Sequence, residues 1–337
     1  MPFKMLTVSE TNRSTLTKIN LPPLFTNSAP IIKTNIPAAQ SLTAPLSTWI
    51  SLNHWANEHK IGKPHRISNS PLTTYAIGSS NGVMLVSVGS RAAAWNGIEV
   101  NLGFEPQFID GEIFLHGLDL QKNLEPLLCE PPFAPGTNRV IVIDPGHGGK
   151  NTGTSSVLDG RFEKEFTLDW AKRLAPLLET NGWTVFLTHT NDSDMSNAVR
   201  VVFAEAHHAD LFISLHFNSA APDQKAAGLE IYCLTPSGMP STLTRGWPDI
   251  WSQVFPDNSF DAQNLQLAFR LQKALLYQTG LEDRGICRAR FMTVLQNQNR
   301  PAILIEAGFL SNPADAKLIE SADYRQKLAE TVADALK

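Results

Sequence analysis

The hydrophobic and polar positions change their period along the chain, and these changes divide it into segments. Residues 1–44 are rich in Thr, Asn, Pro and Ser without a sustained period, which predicts a loosely ordered arm. Residues 46–60 carry apolar side chains at helical spacing and predict an amphipathic helix. Over residues 73–115, short alternating runs separated by Asn-Gly and Asp-Gly pairs are typical of β-hairpins. With a second helix predicted over 118–128, residues 45–128 are interpreted as a small α+β domain.

A second domain is predicted beyond a Pro-rich linker at residues 129–138. From residue 139 to 337, strand and helix patterns alternate as a parallel sheet requires. The predicted strands are 140–143, 183–187, 211–215, 228–234 and 302–305, with a short one near Val294. Pro176 should kink or shorten the first helix of this domain. The expected fold class is α/β, a mostly parallel twisted sheet flanked by helices, preceded by the small α+β domain.

Polar side chains stand where three of these apolar runs end. The run Val140-Ile-Val-Ile143 leads into Asp144-Pro-Gly-His147, the run 211–215 leads into His216, and the run 302–305 leads into Glu306. In an open parallel sheet, functional side chains gather in the crevice beyond the carboxyl ends of the strands. We therefore expect His147, His216 and Glu306 to share one crevice.

Two histidines at strand ends and one carboxylate form the minimum donor set of a catalytic zinc site with an open position. Glu163 and Glu165, at the start of the first helix of the second domain, are the candidate carboxylates, and spacing does not choose between them. A His-Glu-x-x-His motif, which would decide the matter, is absent from the sequence. The alternative is a polar, hydrogen-bonded strand terminus that holds no metal.

Charge and cysteine content narrow the class of partner. With 28 Lys and Arg against 32 Asp and Glu, the net charge of -4 gives no electrostatic argument for nucleic acid or an anionic membrane. The sequence has no apolar run of membrane-spanning length, and its first residues lack the apolar core of a signal peptide. Three cysteines without CxxC spacing indicate neither a disulfide framework nor a Cys-type zinc site. Nothing in the sequence indicates an oligomeric state.

Motifs at these strand ends also carry a family resemblance. They are Ile143–Lys150, Glu163-Lys164, Ser214–Asn218, Arg284-Gly285 and Ile305–Asn312. In order and spacing they resemble the zinc-dependent N-acetylmuramoyl-L-alanine amidases of bacterial cell walls, over about residues 138–337. The resemblance implies that His147, Glu163 and His216 hold one Zn²⁺ and that Glu306 is the catalytic acid/base.

The same resemblance implies an activity and a place in the cell. The activity is hydrolysis of the amide between the lactyl group of N-acetylmuramic acid and L-alanine of the stem peptide, in wall remodelling, daughter-cell separation or recycling. The implied partner is peptidoglycan or a muropeptide, and the resemblance also allows a regulatory partner in the envelope. The implied location is periplasmic or extracellular, although the missing signal leaves cytoplasmic recycling open. The alternatives are a non-catalytic peptidoglycan-binding or regulatory protein and a zinc peptidase acting on stem peptides.

Three further residues have two interpretations each. Asp144 either orients a ligand histidine or forms the turn before Pro145. Asn218 either contacts substrate or caps its strand. Arg284 either meets a carboxylate of the stem peptide or forms a structural salt bridge.

Two remaining segments carry weaker signals. Residues 235–263, rich in proline and aromatic residues, are predicted to restrict access to the zinc, and the alternative is a packed surface excursion. The motifs at 82–89, 95–97 and 109–113 resemble the copper amine oxidase N-terminal-like domain found as an accessory module on envelope proteins. That resemblance implies structural support or wall contact, without copper or oxidase activity.

Overall fold

The computed structural model describes residues 49–134, 136 and 138–337. The predicted arm at residues 1–44 lies outside them, as do the first residues of the helix predicted over 46–60. The described residues belong to one compact unit. None of the described helices is both long and apolar enough to cross a membrane.

The N-terminal part of the described chain consists of short strands and short helices. They are β1 (Trp49–Ser51), α1 (Leu52–Glu58), β2 (His65–Ser68), β3 (Thr74–Ser79), β4 (Gly82–Ser87), β5 (Ala92–Trp95), β6 (Ile98–Asn101), β7 (Gln107–Ile109), β8 (Glu112–His116), α2 (Gly117–Asp119), a π-helical turn (Leu120–Leu124) and α3 (Glu125–Leu128). The described start of the helix predicted over 46–60 is a strand instead, because β1 pairs antiparallel with β8 and the Ser51 side chain caps α1.

The C-terminal part alternates strands with longer helices. They are β9 (Val140–Pro145), α4 (Glu163–Thr180), β10 (Thr184–Leu187), α5 (Asn197–Ala206), β11 (Leu211–Asn218), β12 (Leu229–Cys233), a 3₁₀ helix (Pro256–Phe260), α6 (Asp261–Thr279), β13 (Asp283–Arg288), α7 (Thr293–Gln296), β14 (Ala302–Phe309), α8 (Pro313–Glu320) and α9 (Ala322–Ala335).

One sheet runs through both parts, in the strand order β10-β9-β11-β14-β12-β13-β6-β5-β4-β3-β2. Among the six strands β9 to β14, neighbours are parallel except for β14 and β12. The predicted α/β class with a mostly parallel sheet is therefore confirmed. Strands β2 to β6 extend the sheet as an antiparallel meander, joined through Val100 of β6 and Ile286 of β13. The division of the chain at a linker over residues 129–138 stays a prediction.

Both faces of the parallel region are covered, and alternate residues of each strand point to opposite layers. Ile141 and Ile143 of β9 pack in the layer that contains α4, α6 and α9. Val142, between them, packs with side chains of α5 and α7. All three residues are fully buried. Such burial explains why the strand reads as a continuous apolar run, and it fixes the strand ends on which the polar residues stand.

Local expectations were wrong at two places. Val294 belongs to the short helix α7 and not to a strand, since Val294 and Leu295 both point into the core. Pro176 does not shorten α4, which continues to Thr180, and the alternative effect of a kink stays a prediction. Leu174 and Leu178, on either side of the proline, are fully buried, and their burial offsets the backbone hydrogen bond that proline cannot donate.

Candidate active site

The strand-end residues lie in adjacent strands. β9, β11 and β14 are neighbours in the sheet, and His216 of β11 pairs in register with Glu306 of β14. His147 lies in the turn after β9, in the left-handed region with a φ of 69°. The turn passes so close to β11 that a Cβ on Gly146 would lie 2.3 Å from Cε1 of His216. Glycine at this position therefore lets the two imidazoles share one site.

His147, Glu163 and His216 form a compact donor cluster. The Glu163 carboxylate lies between the imidazoles, with Oε2 at 3.0 Å from Nε2 of His147 and Oε1 at 2.9 Å from Nδ1 of His216. One ligand atom from each residue lies within 4.8 Å of the others. Two nitrogens and one carboxylate oxygen suit a zinc ion, and three protein donors leave a position for water or substrate. The cluster thus fits a metal ion on the chemistry of its donors.

Glu163 is ionised in this cluster. The residue is only 4% exposed, and burial alone would raise the pKa of its carboxyl. Hydrogen bonds from the two imidazoles outweigh burial and lower the pKa of Glu163 to about 2. Backbone N–H groups of Thr154 and Phe217 each donate to the carboxylate at 3.1 Å. Glu165, the other carboxylate that spacing allowed, is exposed and instead accepts from the backbone N–H of Phe162.

Glu306 faces the same cavity in a different state. It is 6% exposed, and within the described part of the chain its Oε2 atom has no hydrogen-bond partner. Burial, followed by the negative charges of Glu163 and Glu230, raises the pKa of Glu306 well above its usual value. The cavity has a volume of about 340 Å³ and is lined by all four residues of the predicted site. A buried carboxyl that faces the donor cluster across such a cavity is suited to exchange protons with a group bound there.

Asp144 supports the turn that contains His147 through Arg200, without contacting His147 itself. It is 1% exposed and accepts hydrogen bonds from Thr188, Ser214 and the guanidinium of Arg200. Arg200 in turn donates to the backbone carbonyls of Pro145 at 2.7 Å and His147 at 2.6 Å.

Sequence reasoning missed both residues that hold His147 directly. One is Arg200, a charged residue among the apolar positions of α5. A charge within an apolar pattern was the sequence feature that could have indicated its role. The other is Asn151, whose Oδ1 lies 2.9 Å from Nδ1 of His147. A polar side chain four residues after a histidine in a tight turn is too common to single out.

Asn218 and Arg284 lie on the other side of the site. Asn218 donates to Glu230 at 2.5 Å, and Arg284 donates to the other Glu230 oxygen at 3.0 Å. Asn218 also accepts from Arg245 at 3.1 Å. Arg245 belongs to the 235–263 segment and lines the cavity, and sequence reasoning missed it. Asn218 lines the cavity as well, whereas Arg284 lines a neighbouring one.

A family model described as N-acetylmuramoyl-L-alanine amidase matches residues 141–337, more than half of the chain. The chain belongs to the N-acetylmuramoyl-L-alanine amidase family. The resemblance that the strand-end motifs carry is thus confirmed, and all four residues of the predicted site lie inside the matched region. The resemblance of residues 45–128 to a copper amine oxidase N-terminal-like domain stays a prediction.

Individual amidases show the same likeness. The chain is 32% identical over 201 residues to the N-acetylmuramoyl-L-alanine amidase LytC of Bacillus subtilis, covering 59% of this chain and 35% of LytC. It is 29% identical over 222 residues to AmiA of Escherichia coli, covering 60% of this chain and 76% of AmiA. A crystal structure of the amidase from Clostridium difficile 630 matches at 30% identity with a TM-score of 0.49, covering 60% of this chain and 96% of that one. The chain therefore spans only about a third of LytC.

Proposed function

We propose that the protein hydrolyses the amide between the lactyl group of N-acetylmuramic acid and L-alanine of the peptidoglycan stem peptide, with zinc held by His147, Glu163 and His216. The observation that carries the proposal is the pairing of this donor cluster with a buried carboxyl, Glu306, in one cavity. Both belong to the region matched by the amidase family. A non-catalytic wall-binding protein would have no need of a buried carboxyl without a hydrogen-bond partner, because such a group costs stability.

In this proposal the protein's own groups move the protons. Glu306 takes a proton from the attacking water while the water oxygen bonds to the lactyl carbonyl carbon. Glu306 then gives this proton to the L-alanine nitrogen as the C–N bond breaks. Burial raises the pKa of Glu306, which favours its holding the proton taken from water until the L-alanine nitrogen accepts it. Arg200 and Asp144 keep the His147 turn in place. A bound zinc ion supplies the Lewis acid that polarises the carbonyl and activates water.

The proposed substrate also sets the proposed location, which is the cell envelope. Peptidoglycan lies outside the cytoplasmic membrane, so the site of action is periplasmic or extracellular. A role in recycling wall fragments inside the cell is the alternative, and it uses the same bond and the same residues. A regulatory partner in the envelope is compatible with the exposed residues 243–248 of the 235–263 segment, which border the cavity through Arg245.

The test is digestion of purified peptidoglycan by the purified full chain, with zinc or with a chelator, and mass spectrometry of the products. We expect free stem peptides that begin at L-alanine, lost on chelation and restored by zinc. The Glu306→Gln variant is the matched control, because it retains the three metal donors.

Other products would contradict the proposal. Shortened stems still attached to the glycan would indicate a zinc peptidase. A zinc-loaded protein that retains peptidoglycan without releasing any peptide would indicate a binding protein.

A further inference from the structure

A second cavity adjoins the one at the metal-site residues. It has a volume of about 400 Å³, and Asn218, Ser219 and Arg245 line both cavities. This volume lies in the range of roughly 300–1,000 Å³ that is typical of ligand sites. The two cavities therefore share one wall, and a substrate whose scissile bond lies at the first needs to pass only these three residues to reach the second.

Arg284 gives the second cavity an available positive charge. Its Nε donates to Glu230 at 3.0 Å, and its guanidinium lies 4.9 Å from the ring centroid of Phe309. The other Glu230 oxygen accepts from Asn218 and Tyr232, so the protein itself satisfies Glu230. Within the described residues, Nε is the only side-chain nitrogen of Arg284 that makes a hydrogen bond. Its terminal nitrogens thus remain as donors for an anion.

Glu99 gives the same cavity a negative charge, from strand β6 of the N-terminal part. Its backbone N–H donates to Asp283 at 2.9 Å. Its side chain packs on Gly285, where an added Cβ would lie 3.1 Å from both Cβ and Cγ of Glu99 and where φ is 79°. Burial, followed by the negative charge of Asp283, raises the pKa of Glu99. The charge of Arg284 and a hydrogen bond from Asn101 act in the opposite direction. Among the described residues, however, neither Lys nor Arg forms an ion pair with Glu99, so its carboxylate can still pair with a cation in the cavity.

The stem peptide of the proposed substrate carries both complementary charges. It begins at the L-alanine whose amide is cut, and the residues beyond carry free carboxylates and, on the diamino acid, a side-chain amine. We propose that the second cavity binds the stem peptide beyond L-alanine, with Arg284 facing a peptide carboxylate and Glu99 facing the side-chain amine. This inference rests on the proposed function. Glu99 lies outside residues 141–337, so the N-terminal part would add selectivity to the family's catalytic region.

The test measures binding, independently of turnover. Calorimetry on the zinc-loaded full chain compares L-alanyl-γ-D-glutamyl-L-lysine with the same peptide acetylated on the lysine Nε. We expect the free-amine peptide to bind about tenfold more tightly to the wild type, since a hydrogen bond to a charged group contributes at this level. Glu99→Gln should bind the two peptides alike. The exposed Glu105 lines neither cavity, and its variant Glu105→Gln should keep the preference.

Each outcome decides one proposal. Equal affinity of the wild type for the two peptides would overturn the cavity assignment without any variant. Equal loss of both affinities in Glu99→Gln would also overturn it, because it would show a structural role for Glu99. A wild type that prefers the free amine but releases no stem peptides from peptidoglycan would contradict only the proposed reaction.

Discussion

Two walls of the active-site cavity are built differently. The strand-end wall consists of His147, Glu163, His216 and Glu306, and the loop wall consists of Arg245 with residues 291–293. In the strand-end wall, Glu163 and Glu306 are 4% and 6% exposed. In the loop wall, by contrast, Arg245 and Thr293 are exposed.

The difference between the walls indicates that the strand-end wall carries out the reaction and that the loop wall controls access to it. Charged groups in the strand-end wall are buried, so each must be paired or must hold its proton, and rigid strands keep the partners in register. The loop wall touches the rest of the site through fewer groups. Arg245 donates to Asn218, and its guanidinium lies 5.5 Å from the ring centroid of Phe291. We expect changes in the strand-end wall to abolish the reaction and changes in the loop wall to alter access.

Glu306→Gln should have the largest effect. The amide keeps the size of the side chain but cannot accept and return a proton, so kcat should fall by roughly 10² to 10⁴. Zinc content, measured by atomic absorption, should remain that of the wild type because the three donors are unchanged. Release of stem peptides at more than a tenth of the wild-type rate, with zinc bound, would rule out Glu306 as the acid/base.

The strand-end wall was largely predictable from sequence, for a physical reason. A buried parallel strand must be continuously apolar, so a polar residue at its end stands out, as His216 does after Leu215 and Glu306 after Ile305. Glu163 was less predictable, because it and Glu165 share the first turn of one helix. The family resemblance chose Glu163, and the structure places this carboxylate between the imidazoles.

The positions of Arg200 and Asp144 around the His147 turn, and those of the loop-wall residues, could not be predicted, because they depend on contacts between residues distant in sequence. Arg200 meets Asp144, which precedes it by 56 residues, and its burial cannot be seen in the pattern of α5. Strand β13 was not assigned, so its pairing with β6 and the approach of Glu99 to Gly285 were also missed. No motif marks such positions, because each acquires its role from a partner on another element.

Arg200→Lys should have the next largest effect, on zinc affinity. Arg200 is 2% exposed and holds Asp144 and the carbonyls of Pro145 and His147 with a planar fork that lysine cannot reproduce. We expect zinc to bind roughly 10- to 100-fold more weakly, as for other residues that orient metal ligands. Competition with a chromophoric chelator measures the affinity, and kcat at saturating zinc should change less.

The matched control for this prediction is Arg300→Lys. Arg300 is also buried and pairs with Glu205 on α5, but it does not line the cavity. Both variants should lower the free energy of unfolding, whereas only Arg200→Lys should weaken zinc binding. Equal zinc affinity in the two variants would show that Arg200 supports the fold alone.

The smallest effect is expected in the loop wall, where residues 235–263 are predicted to restrict access. Deleting residues 240–259 would test the idea poorly, because the deletion removes Asp249, the ion-pair partner of the buried Arg290. A buried charge without its partner destabilises a protein by roughly 3–5 kcal/mol. Arg245→Ala is the sharper change, since it removes the contacts to Asn218 and Phe291 and leaves Asp249 in place. It also removes a positive charge that lowers the pKa of Glu306, so a pH profile of the variant separates this effect from access.

If Arg245 restricts access, Arg245→Ala should raise kcat/KM on soluble muropeptides by about twofold to fivefold. This size is expected because the change removes one partly exposed cation–π contact and one hydrogen bond. Trp247→Ala is the control on the same segment, because Trp247 lines neither cavity and should leave the rate unchanged. A lower kcat/KM for Arg245→Ala would reverse the interpretation. Arg245 would then hold the substrate, and both walls would contribute to binding.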